Sequence, residues 1–277
     1  MTNEETVRKL TEMKMSAMAD SYREQMNNQD YQDMSFEDRF NLLVDHEYSR
    51  RQSNKLQRLI HQAQFNEPSA AIEDIEYHPD RHLDKNLILE LAMGNYIQKH
   101  LNIILMGASG NGKTWLSNAF GIQACRQHYN VKYVRLPELL DEFIAAKNEA
   151  DGSFRKLIKK YKKVELFIID EWLLAALPEE HTLTLFEIIE SRLKTTSTIF
   201  CSQTAPEGWY EKLGEALVAD AILDRIARYF FHRYLPEDVR LEIVGKLLPF
   251  YLIDDDEPSA DEMVKLAIDI IDSQLEK

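Results

Sequence analysis

Apolar positions follow two different rhythms along this chain. Over the first ~65 residues they recur at helical intervals. Val7, Leu10, Ala17 and Met18 follow Thr2-x-x-Glu5, a capping box in which hydroxyl and carboxylate satisfy orphan amides reciprocally. Ser35-x-x-Asp38 marks a second helix start ahead of Phe40, Leu43 and Val44, and the polar stretch Met26–Asp33 between them reads as a loop. From Asn66 to Asp84 the periodicity fails and Pro68 and Pro79 interrupt it, as in a linker. Lys85–Lys99 then resumes as one helix. After His100 short apolar runs alternate with longer helical stretches: Ile103–Met106, Val131–Val134, Leu166–Ile169 and Ile199–Cys201. That alternation predicts an α/β domain with a largely parallel sheet, preceded by a small all-α domain. The predicted divisions are residues 1–66 helical, 67–100 linker and helix, 101–253 α/β, and 254–277 an acidic extension. Within the extension, Ala260–Gln274 carries Met263, Ala267 and Ile270 at amphipathic spacing.

Composition narrows the classes. An apolar share of 44% over 277 residues can build a sizeable core. Nothing approaches ~18 consecutive apolar residues, and the acidic N-terminus lacks a signal-peptide core. The expectation is a cytoplasmic protein without a membrane partner. Cys125 and Cys201 are too few for a disulfide framework and read as structural thiols. The net charge of −14 argues against nucleic acid on its face, but it is unevenly spread. Nine acids and two lysines from Asp254 to Lys277 give −7; residues 1–100 carry −6; residues 101–253 carry only −1. Basic clusters therefore stand out locally.

The chemistry concentrates at Gly107-Ala108-Ser109-Gly110-Asn111-Gly112-Lys113-Thr114, a full P-loop pattern between an apolar strand and the helical stretch Trp115–Cys125. Glycines let backbone amides approach phosphate oxygens, and those amides with a helix N-terminus form a nest of partial positive charge. Lys113 is the cation for β- and γ-phosphates, and the Thr114 hydroxyl the ligand for Mg²⁺. Leu166–Ile169 ending in Asp170-Glu171 reads as the partner strand. Asp170 would hold the metal through water, and Glu171 would orient or deprotonate the attacking water. Two adjacent acids favour ATP hydrolysis over small-molecule phosphorylation. Ser202 and Gln203, at the end of a further apolar strand, are candidates to contact the γ-phosphate or the water.

In these motifs the chain resembles the IstB-type transposition helper ATPases, within the AAA+ initiator and helicase-loader group that includes DnaC-like proteins. The resemblance runs from about Lys9 to Lys246. It rests on the P-loop, Asp170-Glu171, Ser35-Phe36-Glu37-Asp38-Arg39-Phe40, Ser197-Thr198-Ile199 with Trp209, and Ala219-Asp220-Ala221-Ile222-Leu223-Asp224-Arg225-Ile226. It implies an AAA+ ATPase that binds ATP and Mg²⁺, assembles as a ring or spiral on duplex DNA, selects a target and activates a transposase. It also implies that Arg225 is an arginine finger for a neighbouring subunit and that Arg240 senses nucleotide. The plain alternative for Arg225 is a helix-surface arginine paired with Asp220 or Asp224. The chain departs from the family at Ala108, where proline is usual, at Asn111, where threonine is common, and around Arg240, where an expected serine is absent. The rival readings are a helicase loader and a non-hydrolysing DNA-binding scaffold.

Two basic clusters are the DNA candidates. Arg51, Lys55 and Arg58 share one helix face, and with Arg50 they leave residues 48–62 four positive charges and no acid. The second cluster includes Lys156, Lys159 and Lys160. For both clusters the bland alternative is a solvated surface.

Overall fold

The computed structural model describes residues 3–77, 83–149, 151–204, 208–214 and 216–227. Thr2, Pro79, Arg240, the acidic run from Asp254 and the stretch Ala260–Gln274 lie outside the described residues. The chain divides into two compact units, Met1–Leu59 and Ile60–Lys277.

In the first unit, α1 (Asn3–Glu12), α2 (Ser16–Asn27) and α3 (Phe36–Ala63) bury Val7, Ala17, Met18, Ala19 and Leu43. Ser35 opens α3 as its pattern predicts: its Oγ accepts from the Asp38 amide at 3.1 Å and donates to the Asp38 carboxylate at 2.8 Å. The expected loop at Met26–Asp33 is partly ordered, with α2 running to Asn27 and a 3₁₀ turn at Gln29–Tyr31. Glu47 is buried on α3 and takes the Met18 amide at 3.1 Å, satisfying an orphan donor in the first turn of α2. Burial alone would raise its pKa, but the Arg51 guanidinium at 2.6 Å and the Met18 amide outweigh that and lower it.

The second unit is built on a parallel sheet of β1 (Ile103–Met106), β2 (Val131–Arg135), β3 (Leu166–Trp172) and β4 (Ser197–Ser202), in the order β1-β4-β3-β2. Helices α6 (Lys113–Arg126), α7 (Leu136–Asn148), α8 (Ser153–Lys162) and α9 (Glu179–Arg192) connect the strands, and α10 (Trp209–Leu213) and α11 (Ala216–Ala227) follow. Strands covered on both faces need continuous apolar runs, and Leu166–Ile169 is fully buried. One core gathers Leu139, Phe143, Tyr161, Phe167, Trp172, Phe200 and Trp209.

Lys85–Lys99 is not one helix. It breaks into α4 (Lys85–Ala92) and α5 (Asn95–Gln98) at Gly94, whose φ is 77°. The Gln127 side chain occupies the space where a Cβ on Gly94 would stand and donates to the Ala92 carbonyl at 2.8 Å, capping α4. A second glycine controls packing. A Cβ on Gly121 of α6 would lie 2.4 Å from Phe65 Cε1 and 2.8 Å from Ile168 Cδ1. Gly121→Ala will therefore destabilise by about 1–3 kcal/mol, although alanine favours helix by ~1 kcal/mol. A urea midpoint unchanged or raised in that variant would refute the tight α6–β3 contact.

Cys125 and Cys201 are buried and unbonded, and burial pushes both thiols up to about 12; the Asp170 charge adds to the effect at Cys201. Both should stay unreactive to a thiol reagent at pH 8 until the chain is unfolded. Rapid labelling of the native protein would contradict their packing.

Candidate nucleotide site

The loop after β1 and the C-terminal ends of β2 and β3 build one cluster. Gly107 leaves the sheet with its amide on the Ser202 carbonyl at 3.3 Å. Gly110 and Gly112 hold φ at 82° and 79°, conformations that cost other residues, and Gly112 is the N-cap of α6. Ala108, Ser109, Gly110 and Asn111 are exposed at the rim. Lys113 reaches back across the loop, its Nζ donating to the Ala108 carbonyl at 2.7 Å. The loop is closed, with its lysine over the turn it would serve.

Thr114 and Asp170, 56 positions apart, meet: Thr114 Oγ1 donates to Asp170 Oδ2 at 2.7 Å. The same oxygen accepts from Tyr133 Oη at 2.9 Å, and Oδ1 accepts from the Glu171 amide at 2.8 Å. Asp170 is buried, so these three donors orient its carboxylate. Burial, with the Asp170 charge beside it, raises the Tyr133 pKa well above the ordinary phenol range and keeps the hydroxyl a donor. Ser117 Oγ and Asn118 Nδ2 both donate to the Thr114 carbonyl, at 2.8 and 2.5 Å, and fix the first turn of α6.

β3 runs further than its apolar run suggests, to Trp172, with an irregular register between Ile169 and Trp172. Glu171 at φ 55° and Leu173 at φ 47° carry the distortion. Both are non-glycine residues in the left-handed region, at a cost of ~1–3 kcal/mol each. The bulge turns the Glu171 carboxylate toward β2, where both oxygens lie 2.8 Å from one terminal nitrogen of Arg135. Arg135 also holds Glu138 at 3.2 Å.

Tyr133 and Arg135 were not among the sequence candidates. Their signal was weak: two polar residues two positions apart on a short strand, so on one face, beside the strand bearing the acids.

Ser202 ends β4 beside the loop, its carbonyl on the Gly107 amide at 3.3 Å. It is fully buried, its hydroxyl donates to the Thr204 carbonyl at 2.6 Å, and it accepts from Trp209 Nε1 at 3.0 Å. These bonds secure the exit of β4 to α10. Gln203, next in the chain, is exposed. Arg225 pairs with Glu190 of α9, donates to the Ala221 carbonyl at 2.8 Å and lies 4.8 Å over the Phe186 ring. Arg50, Lys55 and Arg58 are exposed on α3, but Arg51 is tied to Glu47 and to the Lys14 carbonyl at 3.0 Å. Lys156, Lys159 and Lys160 are exposed on α8, and Lys160 pairs with Glu142 at 3.2 Å.

Residues 8–232 match the family described as IstB-like ATP binding protein. The chain belongs to that family. Among this IstB-like chain's relatives is the insertion sequence IS1162 ATP-binding protein of Pseudomonas fluorescens, 38% identical over 203 residues, which span 73% of this chain and 87% of the relative. An insertion-sequence ATP-binding protein of Sinorhizobium fredii, y4pL, is 36% identical over 221 residues, spanning 80% and 89%. A solved replication initiator DnaA, bound to AMPPCP and single-stranded DNA, superposes with a TM-score of 0.50 at 21% identity, over 74% of this chain and 60% of that one. The α/β unit is thus an AAA+ P-loop fold, preceded by a helical N-terminal region. Among the described residues no helix is long and apolar enough to cross a membrane. The family match stops at residue 232, so the acidic run from Asp254 lies beyond it.

Proposed function

We propose that this IstB-like chain binds ATP with Mg²⁺ at Gly107–Thr114, hydrolyses it, and uses the bound state to assemble on duplex DNA, select a target and activate a partner transposase. The observation that carries the reading is the Thr114–Asp170 contact at 2.7 Å beside a closed P-loop. It joins a hydroxyl and a carboxylate at a helix N-terminus, an oxygen set suited to a hard cation that also needs phosphate and water ligands. When bound, Mg²⁺ neutralises charge on the β- and γ-phosphates.

The chain's own groups supply the rest. Loop amides and the α6 N-terminus receive phosphate oxygens, and Lys113 exchanges the Ala108 carbonyl for them. Tyr133 keeps Asp170 in place. Glu171 takes the proton of the attacking water once its carboxylate leaves Arg135. Exposed Arg50, Lys55 and Arg58 on α3, and Lys156, Lys159 and Lys160 on α8, would contact DNA phosphates without reading sequence. Kinship with insertion-sequence proteins supports the transposition context.

Phosphate release by the purified protein, with and without duplex DNA, tests the core of the reading. Mg²⁺-dependent turnover that rises with DNA is expected, and ATP binding with no turnover under either condition would leave only a scaffold. Arg225 supplies a separate test. If it acts across a subunit interface after leaving Glu190, Arg225→Ala lowers DNA-stimulated turnover by about 10³-fold. Turnover unchanged in a folded variant retires the finger role and leaves Arg225 as a strut between α9 and α11.

A further inference from the structure

The apolar residues that announce α3 in the sequence are mostly not the ones it buries. Leu43 turns inward, and so does Glu47, which holds the Met18 amide. Phe36, Phe40, Val44 and Tyr48, spaced four apart, stay between 43% and 77% exposed, with the Phe36 and Phe40 rings stacked at 6.0 Å. Single apolar residues on a surface need no account, but a stripe of four along one helix does. Together they leave roughly 400 Å² of apolar surface in water, within the range that marks an interaction site.

The stripe forms the middle of a longer seam. Glu37, Asn41, Val44, Tyr48, Arg51 and Lys55 recur at alternating steps of four and three, the spacing with which one helix meets another, and all six are exposed. The seam is polarised: an acid and an amide at its N-terminal end, apolar at its centre, basic at its C-terminal end. Arg51 contacts Glu47 at 2.6 Å, yet 57% of its side chain stays open. A seam of this kind complements itself only when its partner runs the other way. With two copies of α3 antiparallel, Val44 lies against the partner's Tyr48, Asn41 against the partner's Arg51 and Glu37 against the partner's Lys55, and a two-fold axis repeats each contact. Other occupants fit less. A parallel pair sets Arg51 on Arg51 and Lys55 on Lys55, like charge on like. Duplex DNA has phosphates for Arg51 and Lys55 but nothing for Phe40, Val44 and Tyr48.

We propose that α3 is a dimerisation helix, pairing antiparallel with α3 of a second copy through Val44 and Tyr48, its direction set by Glu37 and Lys55. The pairing stands without the ATP or DNA reading. Where it forms, Lys55 is taken by the partner's Glu37, and the DNA contacts of α3 fall to Arg50 and Arg58. Two such seams bury an area at the lower end of specific interfaces, so the dimer is reversible, with a dissociation constant on the order of 10 µM.

Two measurements on the full-length protein, without ATP or DNA, test the pairing. Sedimentation equilibrium between about 1 and 100 µM should show monomer and dimer in exchange. Lys55→Glu sets acid against acid at both ends of the seam and should raise the dissociation constant about tenfold; adding Glu37→Lys should restore it to within about threefold. Both positions are exposed, so the fold tolerates the exchange. Disulfide trapping reads the direction, with Cys125 and Cys201 buried and out of reach. Glu37→Cys mixed with Lys55→Cys should crosslink on mild oxidation. Neither variant should crosslink alone, because like positions in the antiparallel pair stand roughly 27 Å apart along the axis. A monomer across the whole range, a Lys55→Glu loss that Glu37→Lys fails to reverse, no crosslink in the mixture, or a crosslink of one variant with itself overturns the proposal.

Discussion

Glutamine at position 171 will leave ATP binding intact and lower turnover by roughly 10²–10⁴-fold, while alanine at position 113 will remove binding itself. The two variants separate chemistry from capture. Glu171 makes no contact with the P-loop in the structure; its carboxylate is on Arg135, and an amide in its place still fits beside β2. Lys113 bridges its own loop to Ala108, so removing the ammonium takes away both the cation for phosphate and the tie that closes the turn. Equilibrium binding of a fluorescent ATP analogue, with single-turnover phosphate release, distinguishes the two losses. Turnover within threefold of the natural chain for Glu171→Gln would remove Glu171 from the reaction, and near-normal affinity for Lys113→Ala would mean the loop does not cradle a triphosphate. Arg135 sets a condition on this chemistry. A carboxylate holding an arginine has fewer lone pairs free for a water, so on the proposed reading Glu171 acts only after its ion pair with Arg135 opens.

The second large effect is on stability. Arg192→Ala should cost about 2–5 kcal/mol, from buried carbonyls left without a donor and the packing lost around the side chain. The side chain is 3% exposed at the C-terminal end of α9. Its guanidinium donates to three backbone carbonyls, of Tyr161, Val164 and Ser197, and to the Thr198 hydroxyl, and stacks on Phe167 with 4.9 Å to the ring centre. Burial draws its pKa down to about 9, which still leaves a cation at neutral pH. Alanine would orphan carbonyls at the end of α8 and the start of β4 at ~1–3 kcal/mol each before water enters. Lysine should recover less than half, because its ammonium cannot span the fork. A urea-unfolding shift worth less than about 1 kcal/mol for Arg192→Ala would mean that water replaces the guanidinium at little cost.

The amino-acid sequence alone determined the strand–loop–helix that carries Gly107–Thr114, the acid pair closing an apolar strand, and the division between a helical N-terminal region and an α/β unit. These features are local. A phosphate-binding turn is a run of backbone conformations, and a parallel strand buried on both faces is a run of apolar residues, so consecutive letters encode both. Tertiary structure decided which side chains those letters meet. Arg135 faces Glu171 because β2 pairs with β3 and the bulge turns Glu171 sideways. Ser202 is spent on Trp209, and Arg51 on Glu47. Arg225 takes Glu190 from another helix. The helix expected over Lys85–Lys99 breaks at Gly94, whose φ is 77°, and Gln127, far along the chain, takes the Ala92 carbonyl that the break leaves open. The choice of partner for a charged or polar group is a competition among neighbours in space, and only the packed sheet and its helices bring those neighbours within hydrogen-bonding distance.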